Sequence, residues 1–403
     1  MTKPLRIGLI MQGSRDWIGG AEYIKNLILA LGSLPEEVRS TFELYLICSK
    51  SIDAELHSQI SSAVDRTYYL EVDLEPATLI NRIRWKLIKS LLDLPDPRLN
   101  AFIKKINLDF IYPNLNQGKT KTACPSAAWI PDFQYKYLTQ FFTELERKKR
   151  EQACQKIAKY AEVVVLSSQT AAADLQKFYP QAAHKTRILS FKTSCLPQWY
   201  ESDPVATQAK YNLSDRFFLV SNQFWQHKNH LLIFAALKIL QEKSIYPTVV
   251  CTGLLYDHRQ PEYGNTITQT IENLGIQQQI HLLSLIPKID QIQLMRRCLA
   301  VIQPSLFEGW STVVEDARTF GKSIILSDIP VHLEQNPPNS TFFERHSSES
   351  LATILADSWQ SFNPGPNLEQ EAIAKTNNAI EVQNFGYNFL EITKGVCERK
   401  NLP

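Results

Sequence analysis

Acids bracket a short stretch with the chemistry of a ligand site: Glu308 stands before Gly309-Trp310-Ser311-Thr312, and Glu315 and Asp316 stand after it. The apolar run Ala300 to Ile302 upstream reads as a strand. Val313, Val314 and Ala317 recur at helical spacing, so Ser311 and Thr312 begin a helix. The backbone amides of Gly309 to Thr312 then point at one spot, and the positive end of the helix favours an anion there. An acid just ahead of that end is unfavourable beside a phosphate unless it reaches past it to neutral hydroxyl groups. Glu308 is therefore expected to serve a polyhydroxy group, and Asp316, about a turn into the helix, to accept a bond from a ribose hydroxyl. Taken singly, Glu308 would be a solvated loop acid and Asp316 a partner of the helix dipole. The constellation suits that poorly.

A second anion-binding candidate lies near the start of the chain. After the strand candidate Ile7 to Met11, Gly19-Gly20 opens a helix, where bare backbone and exposed amides fit a diphosphate. The blander role is a tight turn into the helix, and the two stand level. The full G-x-G-x-x-G pattern is absent, which disfavours a nicotinamide oxidoreductase.

The elements that position these residues alternate between short apolar runs and longer helical periods, the pattern of parallel sheets with crossover helices. In the first half the strands are Ile7 to Met11, Leu44 to Cys48, Phe110 to Tyr112, Ala127 to Ile130 and Val163 to Leu166, with helices near Ala21 to Leu31, Leu79 to Leu92 and Glu144 to Tyr160. A polar stretch with Pro197 and Pro204 reads as a linker, and a fresh strand begins at Phe217. The alternation then repeats. The expected fold is α/β: two doubly wound, Rossmann-like domains, 1–205 and 206–383, with a cleft between them. A last helix, Tyr387 to Arg399 after a turn at Gly386, is expected to pack back on the first domain.

Bulk composition agrees with two globular domains: 403 residues, 44% hydrophobic and 21% charged. A formal charge of +2 gives no global reason to expect nucleic acid. The seven cysteines are scattered, with no C-x-x-C pair, which argues for reduced thiols in a cytoplasmic protein. The N-terminus reads as a first strand rather than a signal peptide, and no apolar run is long enough to span a bilayer.

The segment Pro304-Ser-Leu-Phe-Glu-Gly-Trp310 and the helix after it resemble the donor-binding signature of glycosyltransferase family 4, retaining enzymes of the GT-B fold. In that family two glutamates separated by seven residues flank the signature. Here the first place is Glu308 and the second is Asp316, with Glu315 beside it. The family also places an Arg and, five residues later, a Lys at the donor diphosphate. In Val220 to His230 the Lys is matched by Lys228, while Gln223 stands in place of the Arg. His227 and Arg15 are candidate substitutes for the lost charge, and Lys228 taken alone would be a solvated helix-start lysine. Asp132 matches the Asp of a His-Asp pair on the acceptor side, with Pro131 in place of the His, although an Asp after Pro is also an ordinary turn residue.

The resemblance implies transfer of a sugar from a nucleotide diphosphate sugar to a glycan, a lipid-linked acceptor or a small molecule. It also implies retention of configuration and no metal or other cofactor. Lys228, Glu308 and Asp132 are then the catalytic set, and Gly19, Gly20, Gln223, Gly309, Trp310, Ser311, Thr312, Glu315 and Asp316 hold the donor. Gln223 and Pro131 keep a second class open, a sugar-nucleotide or glycan-binding relative without catalysis.

Three other features carry less. Asp73-Leu-Glu75 resembles a D-x-D metal clamp but reads as a solvated loop, and His227 with His230 lacks a third metal ligand. The basic, partly amphipathic run Arg82 to Leu92 would suit peripheral contact with an anionic membrane, although a surface helix with snorkelling lysines explains it as well.

Overall fold

Runs of fully buried apolar residues build two sets of parallel strands, and each set lies in its own compact unit. The structure, a computed structural model, describes residues 3–13, 18–73 and 97–400. By contacts the chain divides into a first unit of Met1–Phe133, Glu144–Ser194 and Ile380–Pro403, and a second of Gln134–Thr143 and Cys195–Ala379.

In the first unit the strands are β1 (Leu5–Ile10), β2 (Phe42–Cys48), β3 (Arg66–Tyr69), β4 (Phe110–Tyr112), β5 (Ala127–Ile130), β6 (Val163–Leu166) and β7 (Thr186–Ile188). They form a four-stranded sheet in the order β3-β2-β1-β4 and a three-stranded sheet β5-β6-β7, bridged at Ile111 and Ser126. All pairs are parallel; Ile7, for example, faces Leu44 of β2 and Phe110 of β4. Tyr23, on the helix Ile18–Gly32, stacks on Trp129 with ring centroids 4.3 Å apart, and its hydroxyl lies 2.5 Å from that of Tyr112.

The last helix differs from the sequence expectation. It is one element, Leu368–Lys400, and runs through Gly386 without a turn. A Cβ at Gly386 would stand 3.0 Å from the Ala30 carbonyl oxygen. The glycine therefore lets two helices of the first unit approach closely, and burial of Phe385 and Phe389 beside it outweighs its poor helix propensity.

The second unit carries β8 (Phe218–Ser221), β9 (Val249–Thr252), β10 (Ile280–Leu282), β11 (Val301–Gln303), β12 (Ile324–Ser327) and β13 (Ser340–Phe343). These form a six-stranded parallel sheet ordered β10-β9-β8-β11-β12-β13. Successive residues of β8 serve opposite faces: Phe218 and Val220 pack in one core, Leu219 and the preceding Phe217 in the other. Strand order reverses between β8 and β11, and at such a switch point the loops at the carboxyl ends diverge and leave a crevice for ligands. The run Arg82 to Leu92, Arg15 and most of the Asp73-to-Glu75 motif lie outside the described residues. Among the described residues no helix is long and apolar enough to cross a membrane.

Candidate active site

Lys228 follows β8 and Glu308 follows β11, so the two central strands deliver them to the same switch point. Their side chains meet, with Nζ 2.6 Å from Oε1. A 3-10 turn, Gln226–Lys228, places the lysine, and Asn229, at φ 57°, turns the chain into the helix His230–Glu242. Leu306 donates its amide to the His227 carbonyl at 2.8 Å, which ties the two loops together.

Glu308 Oε1 also accepts from the Ser305 hydroxyl at 2.6 Å and from Gln303 Nε2 at 3.0 Å. Burial pushes the Glu308 carboxyl up, but Lys228 and Ser305 outweigh it and hold its pKa below the usual carboxylate value. Glu308 is thus an anion that offers lone pairs to hydroxyl groups. Gln303, fully buried at the end of β11, is the hub of this arrangement. Its side chain also reaches Asn222, Ser305 and Ser311, and Asn222 Nδ2 donates to its oxygen at 2.7 Å.

The helix Thr312–Thr319 begins with Ser311 as N-cap, yet the Ser311 side chain caps no amide. Its own amide donates to Gln335 Oε1 at 3.0 Å. The four amides expected to converge therefore do not act alike. The acids separate as well. Asp316, 2% exposed, pairs with Lys288 at 2.5 Å, whereas Glu315, 1% exposed, takes Arg318 at 3.3 Å and Gln335 at 3.0 Å. Gly309 and Trp310 are half-buried in the loop between.

Gln223 lies just after β8 where the backbone has no room to spare. A Cβ on Gly253, which has φ +125°, would stand 2.2 Å from the Asn222 carbonyl oxygen and 2.9 Å from the Gln223 Cα. Gly253→Ala should therefore destabilise the second unit by about 1–3 kcal/mol and disturb the β8 turn. Equal urea midpoints for the variant and the parent chain would contradict that.

Arg259 stands beside the same turn. Its side chain is 4% exposed, pairs with Asp257 at 3.2 Å, and lies between the Trp225 and Phe142 rings at 4.9 and 5.0 Å. Asp257 accepts the Gln226 amide at 3.3 Å, and Arg259 Nη2 lies 3.5 Å from His227 Nδ1. Together they brace the turn that ends in Lys228. Nothing in the local sequence marks Arg259, Lys288 or Gln335; Gln303 had a signal, a polar residue closing a buried apolar strand.

In the first unit Gly19 and Gly20 occupy the first turn of the helix Ile18–Gly32, after the carboxyl end of β1. The glycine whose backbone demands it there is Gly13, at φ 98°. Asp132, half-buried, follows β5. Ser168 caps its helix, accepting the Ala171 amide at 3.0 Å.

Two fully buried histidines follow the members of the pair in sequence, His230 after Lys228 and His332 after Glu308. His230 stacks on Phe224 and neither ring nitrogen has a partner among the described residues; His332 shares Nδ1 with Ser327 while Nε2 is unpartnered. Burial, with Lys228 assisting, pushes His230 down to about 3. Burial also pushes His332 down to about 4, against the pull of Glu308. Both are neutral in the fold, whereas the unfolded chain takes up their protons below 6.5. Their contribution is fully present above 6.5 and is lost as pH falls towards those folded values, by up to about 1.4 kcal/mol per unit and group. Unfolding midpoints should drop from pH 7 to 5, and His230→Phe should flatten the slope. An unchanged slope in that variant would count against this origin.

Known structures share this architecture. A glycosyltransferase from Rickettsia africae superposes with a TM-score of 0.64 at 14% identity, over 98% of both chains. Anabaena HepE in complex with UDP-glucose gives 0.61 at 16% identity, over 98% of this chain and 99% of that one. Sucrose-phosphate synthase from Thermosynechococcus elongatus gives 0.61 at 17% identity, over 98% of both. The chain has the GT-B fold, two Rossmann-like units of α/β architecture. Residues 206–361, all within the second unit, match the family described as glycosyl transferases group 1. No curated protein matches the chain in sequence.

Proposed function

We propose that the chain is a retaining glycosyltransferase that moves a hexose from a nucleotide diphosphate sugar to a glycan, a lipid-linked acceptor or a small molecule. The observation that carries this reading is the Lys228–Glu308 pair at the switch point, in the loop that leads into the helix Thr312–Thr319. In this reading Lys228 and the backbone amides stabilise charge that develops on the departing diphosphate, and that diphosphate helps deprotonate the acceptor on the same face. Glu308 orients sugar hydroxyls and Asp316 the ribose, while Gln223 lines the phosphate side. In the first unit Asp132 is assigned to the acceptor and the helix start at Gly19-Gly20 to an anion. No metal is required by this chemistry. Action in the cytoplasm on a glycoconjugate or polysaccharide, with peripheral contact to a membrane, completes the proposal.

Thermal-shift screening against UDP-, GDP- and ADP-sugars tests it, with UDP-glucose first because HepE binds it. A shift with one donor, followed by transfer to an acceptor panel, is the expected result; no shift with any donor would overturn it. Gln223, in place of a second cation, favours one rival, a sugar-nucleotide binder without catalysis. Tight donor binding with neither transfer nor donor hydrolysis would decide for the rival.

A further inference from the structure

The loop that carries Glu308 is held at its far end by a residue outside any motif. Gln335, 4% exposed at the end of the helix Pro330–Gln335, pairs its side-chain amide with both backbone groups of Ser311. Ser311 N donates to Oε1 at 3.0 Å, and Nε2 donates to the Ser311 carbonyl at 3.1 Å, as an adjacent strand would do. Nε2 also lies 3.0 Å from Glu315 Oε1, while Arg318 Nε holds the other oxygen at 3.3 Å. Arg318 in turn donates to the Gln335 carbonyl, which closes the cluster.

Two consequences follow for an anion at this helix start. The Ser311 amide is consumed, whereas the amides of Gly309 and Thr312 have no hydrogen-bond partner among the described residues. Glu315, in the first turn, is a carboxylate that would compete with a phosphate for the positive helix end. Gln335 and Arg318 keep it bound and buried instead.

We propose that Gln335 is a positioning residue for the donor diphosphate: it selects the Gly309 and Thr312 amides as the phosphate donors and holds the Glu315 carboxylate away from them. This role rests on the reading of the second unit as a nucleotide-sugar site.

The test uses the full chain and calorimetry with whichever of UDP, GDP and ADP gives the largest thermal shift, alongside the matching nucleoside. Gln335→Met, similar in size but unable to form these bonds, should weaken the diphosphate about tenfold and leave the nucleoside within about twofold. Adding Glu315→Gln should recover most of the lost affinity, because the released charge is then gone. A merely structural residue would weaken both ligands alike and show no such recovery; either that result or an unchanged diphosphate affinity overturns the proposal. Should Gln335→Met fail to fold, Gln335→Glu keeps an acceptor for the Ser311 amide but adds a second carboxylate, and the same split between diphosphate and nucleoside is expected. If the unaltered chain binds none of the three diphosphates, the nucleotide-sugar reading itself falls, and this role with it.

Discussion

Lys228→Ala is expected to lower turnover by about a hundredfold or more while the chain stays folded. The lysine sits 2.6 Å from Glu308 and belongs to neither apolar core of the second unit, so its removal leaves that packing in place. Its charge serves two ends. In the proposed reaction it meets the negative charge growing on the diphosphate, where one aligned charged donor contributes roughly 2–4 kcal/mol to the transition state. At rest it opposes the burial that pushes the Glu308 carboxyl up. Without it that burial is opposed less and the Glu308 pKa should rise, so residual activity should fall more steeply than the parent's as pH is lowered. The measurement is steady-state transfer from the donor found by screening, over pH 5 to 8, with melting curves of both chains. A folded variant with parental rates would sink the assignment of Lys228.

Arg296→Met is expected to destabilise the second unit by about 3–5 kcal/mol, the cost of breaking a buried ion pair on one side. Arg296 is 4% exposed and forms a two-pronged pair with Glu371 at 2.8 and 2.9 Å. Its Nη1 also donates to the carbonyls of Trp199 and Ser202, each at 3.0 Å. One guanidinium thus fastens three separate parts of this unit: its own helix Lys288–Arg297, the stretch before β8, and the start of the helix Leu368–Lys400. Removing it strands Glu371 and two carbonyls in a dry environment. Calorimetry should show the unit melting roughly 6–20 °C lower. Arg296→Met with Glu371→Leu should recover part of the loss, since the uncompensated charge is gone. A single variant that melts within a degree or two of the parent would show that the pair is dispensable.

Much of the fold was legible in the chain. β4, β5, β6 and the helix Glu144–Tyr160 have the ends that the sequence pattern predicts; the three strands are buried along their whole length and read as uninterrupted apolar runs. β3, β7 and β13 were not legible. Each lies at a sheet edge and offers residues such as Arg66, Thr186 and Ser340, which no apolar run marks. The sequence reads as a turn at Gly386 because helix propensity is local, whereas the close approach to Ala30 that favours glycine there depends on residues far away in sequence.

The site divides in the same way. Amino-acid types and spacing along one strand-loop-helix segment were enough to mark Glu308 and the helix start at Thr312, and the turn after β8 marked Lys228, since these depend on short-range geometry. What each acid touches was settled only in three dimensions. Asp316 meets Lys288, 28 positions away, and Glu315 meets Gln335, 20 positions away, so neighbours in sequence turn to different partners. A helix sends successive side chains about 100° apart, and which direction faces ligand or core is decided by the elements packed against it. The chain alone therefore determined that a loop and a helix start follow β11; the packing of later elements decided which partners its amides and carboxylates take.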